Sequence, residues 1–184
     1  MKKKYSVRQL TAAAMFLALG QVLPFITGQI PQIGAMLSPM HLPVLLCGLI
    51  CGPLCGGIVG LICPLLRSVL FGMPMMYPAA IAMAFELAAY GLISGWLYEH
   101  ASAKEIRTVY TSLIAAMLAG RAVWGLAELL LLGLNGKPFT FQMFLAGAFI
   151  NAIPAIILQL TLIPAVMSAL DHAGILRFRT AVQA

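Results

Sequence analysis

Gly120-Arg121-Ala122-Val123-Trp124-Gly125-Leu126-Ala127-Glu128 lies inside an apolar run from about Val109 to Leu134, long enough to cross a bilayer as a helix. At about 100° of rotation per residue, Arg121, Trp124, Gly125 and Glu128 fall on one narrow stripe. Leu126, Leu129 and Leu130 point elsewhere. A cation, an anion, a flat aromatic surface and a glycine gap therefore share one face of a membrane helix. Charges inside a bilayer are costly and face a protein interior or a watery cavity. Two readings follow: an internal Arg–Glu pair that only fixes helix packing, or a polar pocket between helices.

The rest of the chain has the same character. Its 184 residues are 62% hydrophobic and 9% charged, with a mean hydropathy of +1.00, which excludes an ordinary soluble domain. There is room for one membrane domain, residues 1–184, and little else. Gly133-Leu134-Asn135-Gly136-Lys137-Pro138 lacks the spacing and the Ser/Thr of a phosphate loop, so ATP hydrolysis is not expected of this chain. The net charge of +6 does not point to nucleic acid, because its placement follows the spans. Lys2, Lys3, Lys4 and Arg8 precede the first span, Lys104 and Arg107 share one loop, and Arg177 and Arg179 end the chain. With six spans these segments share a side, and Lys137 is the one loop cation opposite. The positive-inside rule then places both termini in the cytoplasm, with the basic segments against anionic lipid headgroups.

The expected architecture is all-α and polytopic, with six transmembrane helices in the bacterial cytoplasmic membrane. Span one runs from about Val7 to Ile26; a retained helix is expected rather than a cleaved signal, since no small-x-small site follows. Thr27–Pro39 is an uncharged outer loop. Span two begins near Met40 and reaches Cys51, Gly52-Pro53 makes a tight turn, and span three continues to Leu70. Both are short for full spans, which implies tilt or partial burial. Phe71–Pro78 is a second outer segment. Span four covers Ala79–Leu97, Tyr98–Arg107 is a charged inner loop, span five is the helix above, and Gly133–Phe139 is the third outer loop. Span six runs from Thr140 to about Leu170, with Asn151 and Gln159 inside it and with kinks rather than breaks at Pro154 and Pro164.

Depth follows from about 1.5 Å of rise per residue. Glu86 lies roughly 10 Å below the outer start of span four, and Arg121 and Glu128 roughly 20 and 9 Å from the outer end of span five. Asn151 is some eleven residues into span six. Polar groups from three helices converge on the outer half or middle of the bilayer, which favours a ligand cavity over a purely structural network. Arg67 and His41 stand at outer helix ends, where snorkelling or interfacial hydrogen bonding competes with a site role. Trp124 and Tyr90 offer stacking surfaces for a ring. Met73, Met75 and Met76, with Tyr77, would make an adaptable apolar lid or dip into lipid. Cys47, Cys51, Cys55 and Cys63 are read as apolar filler. No His or acidic residue accompanies them, so neither a metal site nor a cofactor is expected. In span one, Ala14 and Ala18 form a small-xxx-small pair that admits a close helix partner.

This order of features resembles the S components of energy-coupling factor (ECF) transporters, small six-helix membrane proteins that bind vitamins or their precursors. The resemblance covers nearly the whole chain: a basic N-terminus, the Ala14-x-x-x-Ala18 motif, six spans and Pro/Gly-rich outer loops. It implies that Ala14 and Ala18 contact a coupling T component driven by two ATPase subunits. It also implies that Glu86, Arg121, Trp124, Glu128 and Asn151 line a substrate pocket, with Arg67, His41 and Tyr90 as further candidates. The chain would then capture a vitamin-like solute without altering it. One Arg, two Glu, an Asn and aromatic surfaces suit a small heteroaromatic molecule of pyridoxine, pyrimidine or benzimidazole type; riboflavin or thiamine remain open, and a polyanion such as folate fits less well. Two rivals come from other classes: a six-helix structural protein of the cell-envelope machinery, and an intramembrane hydrolase using Glu86 with His41.

Overall fold

The computed structural model describes residues 6–26 and 37–174. Among these there are helices and no strand. They are α1 (Val7–Ile26), α2 (His41–Cys51), α3 (Pro53–Phe71), α4 (Ile81–His100), α5 (Ile106–Leu134), the short α6 (Phe141–Leu145) and α7 (Ile153–His172). Wide turns at Met76–Ala80 and Ala146–Ile150 lead into α4 and out of α6. Four continuous helical stretches, Pro53–Phe71, Met76–His100, Ile106–Leu134 and Phe141–His172, are long and apolar enough to cross a membrane. With α1 and α2 they make up the six helices expected. Residues 27–36, the lysines at 2–4 and the arginines at 177 and 179 lie outside the described residues, and so do the expectations placed on them.

Local chemistry sets the helix ends. Ser6 caps α1, its hydroxyl accepting the Arg8 N–H at 3.3 Å while its own N–H donates to the Gln9 side chain at 3.1 Å, a reciprocal box that satisfies free N–H groups at the start. Gly52, at φ +97°, turns the chain after α2, its N–H returning to the Gly48 carbonyl at 3.1 Å. Pro53 follows in the first turn of α3, where its missing N–H removes nothing. Gly72 ends α3 in the left-handed conformation at φ +70°, as a helix C-terminus favours.

Some boundaries differ from those expected. α4 runs on to His100, so Tyr98 is a buried helical residue and the loop between α4 and α5 shrinks to residues 101–105. α3, with 19 residues, is long enough to span, and only α2, with 11, is short. The sixth span, Phe141–His172, stays one helical stretch and is irregular just before Pro154. A turn at Asn151–Ala152 separates the Ala146–Ile150 turn from α7, and Pro154 occupies the first turn of the new helix. Pro lacks an N–H and is accommodated there without breaking a ladder. Pro164 sits within α7 as expected.

α4 is the centre of the bundle and packs on α2, α3 and α5. Its contacts with α2 and α3 are backbone to backbone. A Cβ placed at Gly95 would lie 2.6 Å from the Gly48 carbonyl oxygen, one at Gly48 would lie 2.6 Å from Ser94 Oγ, and one at Gly91 would meet the Gly56 backbone. In lipid, helices associate through such close packing rather than through a hydrophobic drive. Around the seam lie two apolar clusters. One joins α2, α4, α5 and α7 through Leu45, Tyr90, Leu113 and Ile163; the other joins α1 to α4 through Phe16, Val44, Cys63 and Leu87. Cys47, Cys51 and Cys63 are buried in this packing as free thiols. Leu126, Leu129 and Leu130 of α5 face outward, towards lipid.

Gly91→Ala should therefore destabilise the protein by about 1–3 kcal/mol or more, as overpacking against backbone does. Gly133→Ala, in α5 with nothing near its Cβ position, should be neutral or stabilising by up to about 1 kcal/mol. Thermal unfolding in one detergent reads both. Equal melting temperatures would contradict the seam.

Candidate ligand site between four helices

The inward face of α4 repeats every fourth residue, Glu86, Tyr90, Ser94 and Tyr98, all buried. The inward face of α5 carries Met117, Gly120, Arg121, Gly125 and Glu128. The two faces meet because Gly120 has no side chain: a Cβ there would occupy the Tyr90 ring and approach the Glu86 carbonyl oxygen at 3.2 Å. That contact brings Arg121 Nη1 to 3.0 Å from Glu86 Oε1, with side chains 9% and 2% exposed. From the start of α2, His41 Nε2 approaches the same oxygen at 3.7 Å, its ring edge-on to Tyr90 at 5.3 Å between centroids. Gln159 of α7 is fully buried.

The cluster is close but poorly satisfied. The Glu86–Arg121 contact is short yet not aligned as a hydrogen bond, so charge holds it. Both ring nitrogens of His41, Nε and Nη2 of Arg121 and both ends of the Gln159 amide are buried without a hydrogen-bond partner among the described residues. Native proteins pair nearly all such groups, and a bilayer offers no water to do so. Beside the cluster, an apolar cleft of about 160 Å³ separates α5 from α7, lined by Ile114, Met117, Leu118, Arg121, Phe149, Ile156 and Leu160.

Of the residues expected at a site, Glu86, Arg121, His41 and Tyr90 are thus brought together. Glu128 is buried on the same face of α5, two turns from Arg121. Trp124 is half-buried and belongs to an aromatic layer nearer the Leu134 end of α5, stacked on Phe144 and edge-on to Phe139. Gly125 and Gly147 leave room for the Phe144 and Trp124 rings. Asn151 is exposed at the turn before α7 and does not line the cluster. Arg67 neither snorkels nor reaches it. Its Nη1 donates to the Gln21 carbonyl of α1 at 2.6 Å, and its guanidinium lies over Phe25 and Phe71, each at 5.1 Å. Gln159 is the member that sequence reasoning noted without assigning to the site; a full amide inside an apolar helix was the available signal. Of the expected lid, Met75 and Met76 are exposed, and the Tyr77 hydroxyl donates to the Leu131 carbonyl of α5. Ala14 and Ala18 lie on the exposed face of α1, while neighbouring Ala13 and Phe16 are buried. No group of three or more His, Cys, Asp or Glu suited to a metal occurs among the described residues.

A family model described as "ECF transporter, substrate-specific component" matches residues 8–167. No curated protein and no solved structure matches the chain.

Breaking the buried pair from one side strands a charge, at about 3–5 kcal/mol. Arg121→Met alone should lower stability by that order, and adding Glu86→Gln should restore part of the loss, giving a coupling energy of about 1 kcal/mol or more in the double-mutant cycle. Additive losses would show that the two side chains do not interact.

Proposed function

The chain belongs to the ECF transporter family as a substrate-specific component, an integral membrane subunit of a transporter rather than an enzyme, and on that premise we propose what it carries and how it delivers it. The substrate is a small vitamin-like heteroaromatic solute, captured unaltered from outside and released inward through a T component driven by two ATPase subunits. The observation that carries this reading is the set of unpartnered polar atoms on His41, Arg121 and Gln159. A network that served packing alone would satisfy its own members, because each buried orphan costs about 1–3 kcal/mol. Donors and acceptors left open around a buried ion pair instead match a ligand that brings the missing partners.

Delivery needs a surface for the T component. On α1, Ala14 and Ala18 are one turn apart and exposed, so their small side chains serve contact outside the bundle, where close approach gives helix association in lipid. Both termini face the cytoplasm in this reading, in keeping with the excess of Lys and Arg in the inner segments.

Replacing Ala14 and Ala18 together with Leu should leave insertion and ligand binding intact and abolish uptake by the assembled transporter. Full uptake by a normally expressed variant would remove the docking face. For orientation, Lys137→Cys in a background without the four native cysteines should react with an impermeant maleimide in intact cells. Reaction only after permeabilisation would invert the topology.

A further inference from the structure

The cleft between α5 and α7 is a groove that the helices cannot close by moving together. Its sides belong to α5 between Ile114 and Arg121 and to α7 between Ile156 and Leu160, with Phe149 beside them. The two helices are held beyond both ends of it. Towards the Ile106 end of α5, Val109 and Leu113 share a buried apolar cluster with Ile163 and Met167 of α7. Towards the Leu134 end, the Trp124 ring lies against Gly147 and the Phe144 ring against Gly125. From behind, the contact of Gly120 with the Tyr90 ring fixes α5 on α4. Between these pinned points the groove persists.

Its lining and its depth decide what fills it. A space of about 160 Å³ walled by Ile, Met, Leu and Phe side chains and by apolar atoms of Arg121 offers water no partner, and an apolar cavity of about 150 Å³ stays dry. Left empty, its walls would lose the dispersion contacts that close packing supplies. The groove opens sideways, because Ile114 and Leu118 are exposed on its rim, while Met117 on its floor is only 7% exposed. That opening lies at mid-membrane. Ile114–Arg121 falls near the middle of the 29-residue α5, a helix roughly 43 Å long against a hydrocarbon core of about 30 Å. Acyl tails, and no headgroups, stand at that depth. A partner helix, about 10 Å across, is too wide for the groove, and a polar solute would find nothing there to hydrogen-bond.

We propose that this groove is a binding site for one acyl chain of a membrane phospholipid, resident between α5 and α7 rather than passing along the surface. Met117, unbranched and adaptable, suits a floor for such a chain. Arg121 turns apolar atoms to the groove and its Nη1 to Glu86. The chain thus packs against the stem of the residue on which the polar cluster turns, and lipid supplies one wall of the bundle. The site stands whether or not the cluster takes a solute.

Photo-cross-linking tests the site on the full chain in nanodiscs of phosphatidylglycerol that carries a diazirine midway along one chain, with the labelled residues mapped by mass spectrometry. Leu126 and Leu130, exposed elsewhere on α5, report passing bilayer lipid. Label is expected on Met117 as well as on those two, because a chain reaches Met117 through the groove. Ile156→Phe places a ring in the groove and should remove the Met117 label, while Leu126 and Leu130 keep theirs. A second measurement needs no variant: after exhaustive washing in mild detergent, native mass spectrometry should find one phospholipid retained per chain. Label on Leu126 and Leu130 without Met117 would overturn the proposal. So would a Met117 label that persists in folded Ile156→Phe protein, or the loss of every phospholipid on washing.

Discussion

Backbone contact between α4 and the α2–α3 pair is the constraint on which the rest of the molecule depends. Apolar side chains gain little by leaving lipid for protein, so helices in a membrane are held by dispersion at short range and by polar contacts. Gly91 against Gly56 and Gly95 against Gly48 give that range. The seam fixes the depth and rotation of α4, and α4 carries Glu86 and Tyr90. Gly120 then sets how closely α5 can follow. Displacing α4 by the width of one methyl group would move Glu86 off the 3.0 Å contact with Arg121 and the 3.7 Å approach to His41.

The electrostatic centre built on this packing is a poor device for stability. Removing two charges from water costs several kcal/mol per ion, and their attraction repays this only with good geometry and further hydrogen bonds. Here the pair is not aligned as a hydrogen bond, and the neighbouring His41 nitrogens and the buried Gln159 amide of α7 lack partners among the described residues. Apolar residues of similar volume would pack as well. What such residues cannot do is present a fixed set of donors and acceptors in a water-poor space, where each directed contact weighs more than in water. The proposal that the cluster recognises a ligand accounts for that cost and accords with a substrate-specific component.

Helix-scale features were legible in the sequence because each has a local cause. The apolar run around Gly120–Glu128 predicted α5 and the stripe of Arg121, Trp124, Gly125 and Glu128, all buried but Trp124, which is half-buried, with Leu126, Leu129 and Leu130 outside. Gly52-Pro53 predicted the turn between α2 and α3. The site was legible only where a charge inside an apolar helix announced itself, as with Glu86 and Arg121. Asn151 is exposed at the turn before α7. Counting residues along the span gives depth but not which amide faces inward, and Gln159 is the buried one. Arg67 misled for another reason: position near a helix end does not disclose that Gln21, Phe25 and Phe71 enclose it. The glycine seam joins residues far apart in sequence, and no local pattern reveals which glycines face one another.

Arg67 ties α1 to α3 in this architecture. Its bond to the Gln21 carbonyl, together with the Gln21 amide donating to the Cys63 carbonyl at 3.1 Å, holds the two helices together on one side while Ala14 and Ala18 remain exposed. The central claim is that the polar cluster of α2, α4, α5 and α7 holds a small molecule. Native mass spectrometry of the protein purified in mild detergent tests it most directly. The wild type should carry about one small molecule per chain, and folded, monodisperse Arg121→Met protein should carry none. Retention of the same molecule by that variant, or a wild-type mass equal to the bare chain after expression in medium rich in vitamins, would contradict the account.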